Sequence, residues 1–404
     1  MNHFYLKILL LTCLNILIEA RKLPNSNPKS TSSCSFDINK DLPERQPLLL
    51  SPGSNNSVLP STADGVVTLS SSQNIELFCT EGFEKLSNAK SLQASCSRAN
   101  VVKVNGKEMN IHDIQCQKSS RPHIREAGKC YNGASLLHIG YQMGSRFMKL
   151  IEICFDRKEE RTLYAHATLT KANAAHQKNV DRGGWSAGKG FFSNTNVNKL
   201  YSVENQIERA KALIGASEAK KFINKKIFLA RGHLAPMVDF IYGAHQRATM
   251  NLLNAAPQYN TINGGNWFRI EESVRDLIET GKVSELDVYS GTFGTLEIKS
   301  KPFYLALNKE KEGVIPVPKL FYKVVIDRET KKGVALVMTN DPFLKEKDLP
   351  KNEICKDVKE KINWVQKRKP ELSKGHYFAC EVEELAKKVQ HLPSEVRTKG
   401  LLTG

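Results

Sequence analysis

The stretch from Ile227 to Arg275 constrains the fold of this chain more than any other. Lys226-Ile227-Phe228-Leu229-Ala230 is an apolar, strand-compatible run that leads into Arg231-Gly232-His233, so His233 falls at or just past a strand end. Gly232 permits a close backbone approach there. Asn263-Gly264-Gly265 follows thirty residues after His233 and reads as the start of a helix. Trp267, Ile270, Val274, Leu277 and Ile278 then recur at helical spacing. Strand, loop and helix in this order predict a ββα unit with a cation between His233 and Asn263.

The residue types in this unit suit one reaction. A phosphodiester is anionic and repels hydroxide, so its hydrolysis needs charge neutralised and a nucleophile generated together. Histidine accepts a proton from water near neutral pH. The amide oxygen of asparagine is a hard, neutral ligand for Mg²⁺, which takes few protein ligands and keeps several waters. Arginine forks pair with phosphate oxygens and stabilise charge that grows in the transition state. On a straight helix Glu271 would lie roughly 12 Å beyond Asn263 and about 80° round from it. It therefore reaches a shared site only through water or by pairing with an arginine, and Arg275, four residues on, meets it on one face.

The order Leu229-Ala230-Arg231-Gly232-His233, Asn254-Ala255-Ala256-Pro257-Gln258, Asn263 and Trp267-Phe268-Arg269-Ile270-Glu271 resembles the DNA/RNA non-specific endonucleases, the ββα-metal nucleases. The Leu-Ala-Arg-Gly-His form and the extended amino-terminal region look like the arthropod double-stranded ribonuclease subgroup. The motif core covers about fifty residues, with weaker similarity over about 140–395 that includes the Tyr289-Ser290-Gly291-Thr292 turn. The resemblance implies His233 as general base and Asn263 as the one direct ligand of Mg²⁺, or of Mn²⁺. It implies a water-mediated carboxylate at Glu271, an arginine near the leaving phosphate at Arg275, a supporting Asn254 and the motif arginine Arg231. Arg182, in Asp181-Arg182-Gly183-Gly184-Trp185, matches the upstream phosphate arginine. The family pattern starts with Asp where this chain has Ala230, which puts the tuning of the histidine in question but removes neither base nor ligand.

Lys7 and the apolar run Ile8 to Ile18, ending at Glu19-Ala20, fit a secretory leader too short to span a bilayer. No later stretch is apolar enough for a span, and no membrane role or obligate protein partner is expected. Without the leader, eight cysteines remain: 34, 79, 96, 116, 130, 154, 355 and 380. An even count in a secreted chain points to disulfides. Sequence alone fixes none of the many possible pairings; Cys355 with Cys380 is one compatible choice, both flanking expected carboxy-terminal helices. Asn55-Asn56-Ser57 is an N-glycosylation acceptor pattern. The formal charge of +17 favours polyanionic partners, here double-stranded RNA and DNA.

The fold class expected is α+β: a ββα-metal nuclease core with a mixed sheet and flanking helices, preceded by a small β-rich disulfide module. Residues 1–20 read as the leader and 21–65 as a flexible segment or propeptide. Residues 66–130 read as the module and 131–404 as the endonuclease domain. Helices are expected over Val203–Ile214, Gly265–Thr280, Glu353–Gln366 and Val382–His391. Histidines 138, 166, 176, 245, 376 and 391 are assigned structural roles, and Trp267 is assigned to the core. Against the enzyme stands a catalytically inactive extracellular polyanion-binding protein, which would be expected to lose His233 or Asn263.

Overall fold

The structure is a computed structural model that describes residues 33–404 except 72, 87–88, 194–195 and 367–370. The expected leader over 1–20 lies outside the described residues. Eight strands form the central sheet: β8 (His123–Lys129), β9 (Ser135–Met143), β10 (Arg146–Asp156), β11 (Arg161–Thr170), β14 (Glu285–Thr295), β19 (Pro318–Asp327), β20 (Gly333–Thr339) and β21 (Tyr377–Cys380). Their spatial order is β21-β20-β19-β14-β11-β10-β9-β8. Every pairing is antiparallel, so the sheet is not mixed. The reason lies in the connections: neighbours are joined mostly by hairpins, and the long excursion between β11 and β14 also returns antiparallel. The fold class is α+β. Tyr289 to Thr292 lies within β14 rather than in a turn.

Alternation along β19 sorts its side chains. Phe321 and Val325 enter the main core, while Leu320, Tyr322, Val324 and Ile326 pack on the opposite face against α7 (Val382–Lys388). Lys323 shares the face of Phe321 and Val325 and is 1% exposed. On that face lie β12 (Leu229–His233) and β13 (Ala255–Tyr259), then α5 (Asn260–Ile262), a widened turn at Asn263–Trp267 and α6 (Phe268–Glu279). α6 buries Ile270, Val274, Leu277 and Ile278 as its spacing predicts, and Trp267 is fully buried against Phe321. The excursion from β11 also carries α1 (Val197–Leu200), α2 (Val203–Ile214), α3 (Ala216–Phe222) and α4 (Gly243–Ala248). Two short hairpins, β15 (Glu297–Ile298) with β16 (Lys301–Pro302) and β17 (Tyr304–Leu307) with β18 (Gly313–Pro316), separate β14 from β19.

The amino-terminal unit starts earlier than its composition suggests. β1 (Cys34–Asp37) pairs with β3 (Val66–Leu69). β2 (Leu48–Leu50), β4 (Asn74–Phe78), β5 (Ser91–Arg98), β6 (Val101–Val104) and β7 (Lys107–Asn110) form a five-stranded sheet. Residues 34–65 are thus part of a packed unit rather than flexible. Phe36, Ile38, Leu42, Leu49 and Val58 are buried, and Cys34 is bonded to Cys96. At the other end the last bridge is Cys79–Cys116, and β8, placed in the module by its sequence, belongs to the central sheet.

The remaining disulfides are Cys130–Cys154 and the expected Cys355–Cys380. The helix expected over Glu353–Gln366 is absent apart from a single tight turn at Lys359–Lys361. The disulfide and hydrogen bonds between Asp357, Val358 and Ala379 tie this segment to β21 instead. No helix among the described residues is long and apolar enough to cross a membrane.

Candidate active site

β12 and β13 form a two-stranded hairpin in which Ala230 faces Gln258, Gly232 faces Ala256 and His233 faces Ala255. His233 is the last residue of its strand. Arg231 and His233, two apart, project on one side, and both meet Trp185. The His233 ring lies 4.6 Å from the indole. The Arg231 guanidinium sits 4.9 Å from the Tyr201 ring and 5.9 Å from Trp185, and donates to the Asn198 carbonyl at 2.9 Å. The His233 Nε2 is buried without a hydrogen-bond partner. Burial pushes its pKa down to about 4, and the nearby Arg182 charge adds to the shift. The imidazole is therefore neutral at neutral pH, the form a proton acceptor needs. Arg182 is exposed on the loop that leads to Trp185.

The chain leaving His233 is clamped. Asn254, fully buried, accepts from the Ala235 N–H at 2.9 Å and donates to the Ala235 carbonyl at 2.9 Å and the Thr249 carbonyl at 3.1 Å. The Leu234 N–H reaches the Asn254 carbonyl at 3.0 Å. Asn254 is thus a positioning residue that sets the direction of the backbone after the histidine. From the sheet side, Lys323 Nζ donates to the Leu234 carbonyl at 3.3 Å and to Ser290 Oγ at 2.6 Å, and lies 5.5 Å from the Trp267 ring centre.

A buried charge cluster joins this clamp to α6. Arg275 pairs with Asp239 at 3.0 Å. The expected ion pair with Glu271 does not form, because Asp239, just beyond the His233 loop, takes the guanidinium. Burial raises the Glu271 pKa and Asp239 raises it further, while the Lys323 and Arg275 charges oppose the rise. Burial lowers the Lys323 pKa, with Glu271 opposing. Glu271, Lys323, Asp239 and Arg275 form one electrostatic unit between helix and sheet.

Asn263 is partly exposed, and its carboxamide makes no hydrogen bond among the described residues. It sits in the widened turn, where Gly265 adopts φ −106°, ψ −123° and lies so close to Lys374 that an added Cβ would stand 3.0 Å from the Lys374 carbonyl oxygen. The straight-helix geometry between Asn263 and Glu271 therefore does not apply. Among the described residues no group of three or more His, Cys, Asp and Glu side chains is placed to hold a metal ion. A free carboxamide oxygen fits a hydrated hard cation, which asks for few protein oxygens.

Ala230, the departure from the motif, lies opposite Gln258, and neither polar atom of that buried carboxamide has a partner. Sequence reasoning missed Lys323, Asp239 and the part played by Trp185. The signal for Lys323 was a lysine at a core-facing position of Leu320-Phe321-Tyr322-Lys323-Val324-Val325-Ile326. Five of the six histidines assigned structural roles have side-chain partners, His138 with Glu152, His166 with Asp287, His245 with Ser57, His376 with Glu353 and His391 with Tyr322, whereas the buried Nδ1 of His176 has none among the described residues.

Comparison with known proteins gives a consistent picture. The family model described as DNA/RNA non-specific endonuclease matches residues 132–385. A salivary endonuclease of Lutzomyia longipalpis is 29% identical over 97% of this chain and 91% of that protein. The salivary protein Tsal2A of Glossina morsitans morsitans is 27% identical over 91% of this chain and 94% of its own length. Among solved structures, the crystal structure of an EndoG/EndoGI complex aligns with a TM-score of 0.38 at 18% identity, covering 64% of this chain and 86% of that one, a likeness too slight to argue from.

Proposed function

Because the chain belongs to the DNA/RNA non-specific endonuclease family and is a nuclease, we propose that it is a secreted, Mg²⁺-dependent endonuclease that hydrolyses double-stranded RNA and DNA with little regard to sugar or base. The observation that carries this is His233: a neutral imidazole at a strand end, its Nε2 buried and unpartnered, its ring against Trp185. In this reading His233 takes a proton from water as the oxygen attacks phosphorus, and the bond from phosphorus to the 3′ oxygen breaks. The products carry 5′-phosphates. Arg182, exposed beside the histidine, offsets charge on the phosphate oxygens. Arg231 is held by Asn198 and Tyr201 on the same side of the hairpin, and Arg275 keeps Asp239 and Glu271 balanced.

Asn263 would hold Mg²⁺, or Mn²⁺, through its carboxamide oxygen, with Glu271 reaching the ion through water. When bound, the cation would supply positive charge against the phosphate. Recognition through backbone phosphate and duplex shape suits a chain of net charge +17. Secretion is supported by four disulfides and by the salivary relatives.

The test is digestion of matched RNA and DNA duplexes. Wild type should cleave both with Mg²⁺, stop in EDTA and resume when Mg²⁺ is restored, and His233→Ala should bind but not cleave. Turnover by His233→Ala, or full activity in chelator, would defeat the assignment. Wild type that binds duplex but never cleaves would return the chain to a polyanion-binding protein.

A further inference from the structure

Arg182 stands in a loop that the amino-terminal unit holds. At the start of that loop, the Gln177 side chain meets three partners. Its Oε1 accepts from Gln46 Nε2 at 2.9 Å and from the Gly243 N–H at 2.7 Å, and its Nε2 donates to the Ile38 carbonyl at 2.8 Å. Its backbone carbonyl accepts from Gln246 Nε2 at 2.8 Å, and its N–H reaches the Ile241 carbonyl at 2.7 Å. The next residue, Lys178, donates its N–H to Asn39 Oδ1 at 2.8 Å. Ile38, Asn39 and Gln46 all belong to the amino-terminal unit.

The far end of the loop is fixed separately. The Ser186 N–H donates to the Met250 carbonyl at 3.0 Å, and the Leu252 N–H to the Ser186 carbonyl at 2.8 Å. Between these anchors run Asn179 to Trp185, carrying Arg182 out to solvent and Trp185 onto His233. The unit is not a loose appendage. Ile241 and Tyr242, from the chain after His233, are buried in its core, and the Tyr242 hydroxyl donates to the Val58 carbonyl at 2.6 Å. Its own Leu48, Leu50 and Phe78 enter the main core.

We propose that the amino-terminal unit is a working part of the nucleic-acid site: through Asn39 and Gln46 it fixes Gln177 and Lys178, and so sets where Arg182 meets a substrate phosphate. This rests on the reading of Arg182 given above. Asn39 and Gln46 are positioning residues that need not touch the substrate. A loop end loosened from the unit leaves Arg182 with more conformations to lose on binding, and its phosphate contact weakens.

The experiment is a binding cycle in the full chain carrying His233→Ala, so that a short RNA duplex is held and not cut. Duplex affinity is measured over a salt series for that parent, for Arg182→Ala, for Asn39→Ala with Gln46→Leu, and for all the changes combined. Arg182→Ala should weaken binding about three- to tenfold and lower the slope of log affinity against log salt by about 1, as loss of one phosphate contact does. Gln177 keeps its bonds to Ile38, Gly243 and Gln246, so Asn39→Ala with Gln46→Leu should give part of that loss in both readouts, and the combined variant should bind no more weakly than Arg182→Ala alone. Unchanged affinity in the tether variant, or losses that add in full, would overturn the proposal. Unchanged affinity in Arg182→Ala would remove the arginine from the site, and the tether with it. Should the double change prevent folding, Asn39→Ala alone serves, since Asn39 is exposed. Failure of the catalytic reading shows separately, as an uncut duplex with the native chain.

Discussion

At the scale of single residues, Lys323 joins the backbone after His233 to the charge cluster on α6. His233 and Asn263 announce themselves by spacing and by neighbouring glycines. Lys323 does not, because its partners, Ser290, Leu234 and Glu271, come from three separate elements that only the folded sheet brings together. The structure makes a specific claim about it. Lys323→Met removes the donor that holds the Leu234 carbonyl and the charge that favours ionised Glu271. Deleting one partner of a buried pair usually strands the other charge at high cost. Here burial already raises the Glu271 pKa, so the carboxyl can answer by taking up a proton. Thermal stability should therefore change little, while kcat falls about 10- to 100-fold, the usual cost of losing a support behind a catalytic or metal-binding group. Lys323→Arg should recover part of the loss. Measured kcat and melting temperature decide it: wild-type turnover in Lys323→Met would leave the lysine a packing residue only.

At the scale of elements, periodicity served where local burial decides structure and failed where long-range ties do. α2 lies at its expected bounds, Val203–Ile214, and α6 buries the residues its spacing marks. The segment from Glu353 fails because Cys355 and the bonds to Ala379 override helical preference, and the start of the amino-terminal unit fails because Cys34 finds Cys96 from 62 residues away. The hairpin that carries the histidine depends on Gly232. A Cβ there would stand 2.4 Å from Gln258 Oε1 and 2.7 Å from Gln258 Cβ. The amide could rotate aside, but the Cβ, fixed to the facing strand, could not. Gly232→Ala should thus force β12 from β13 at the residue next to His233. We expect a loss of about 1–3 kcal/mol, the range of overpacked cores, and a larger proportional loss of turnover because the imidazole moves with its strand. Urea unfolding and kcat on the same sample check this, and a fully active, equally stable variant would contradict the close packing.

At the scale of the whole molecule, burial of neutral histidines ties stability to pH. Burial pushes His233, His245 and His391 down to about 4. In the unfolded chain each would titrate near its ordinary value of 6.5. Between those limits the unfolded state binds protons that the native state refuses, so stability rises with pH and is lost on acidification. Glu271 and Asp341, raised by burial, act with the opposite sign because the native state holds their protons more tightly. Three imidazoles against those two carboxyls still leave one proton even if both acids titrated wholly in this window. Each net proton is worth ~1.4 kcal/mol per pH unit. The unfolded imidazoles are themselves only partly protonated at pH 6, so unfolding free energy should drop by roughly 1 kcal/mol between pH 6 and pH 5. Denaturant melts at several pH values test it, and stability that held level or rose on acidification would reject it. His245 locates part of the effect: its Nε2 lies 3.3 Å from Ser57 Oγ, at the seam between the amino-terminal unit and α4. His245→Phe should lower the pH slope by one proton while leaving His233, and the acid side of the activity profile, where they were.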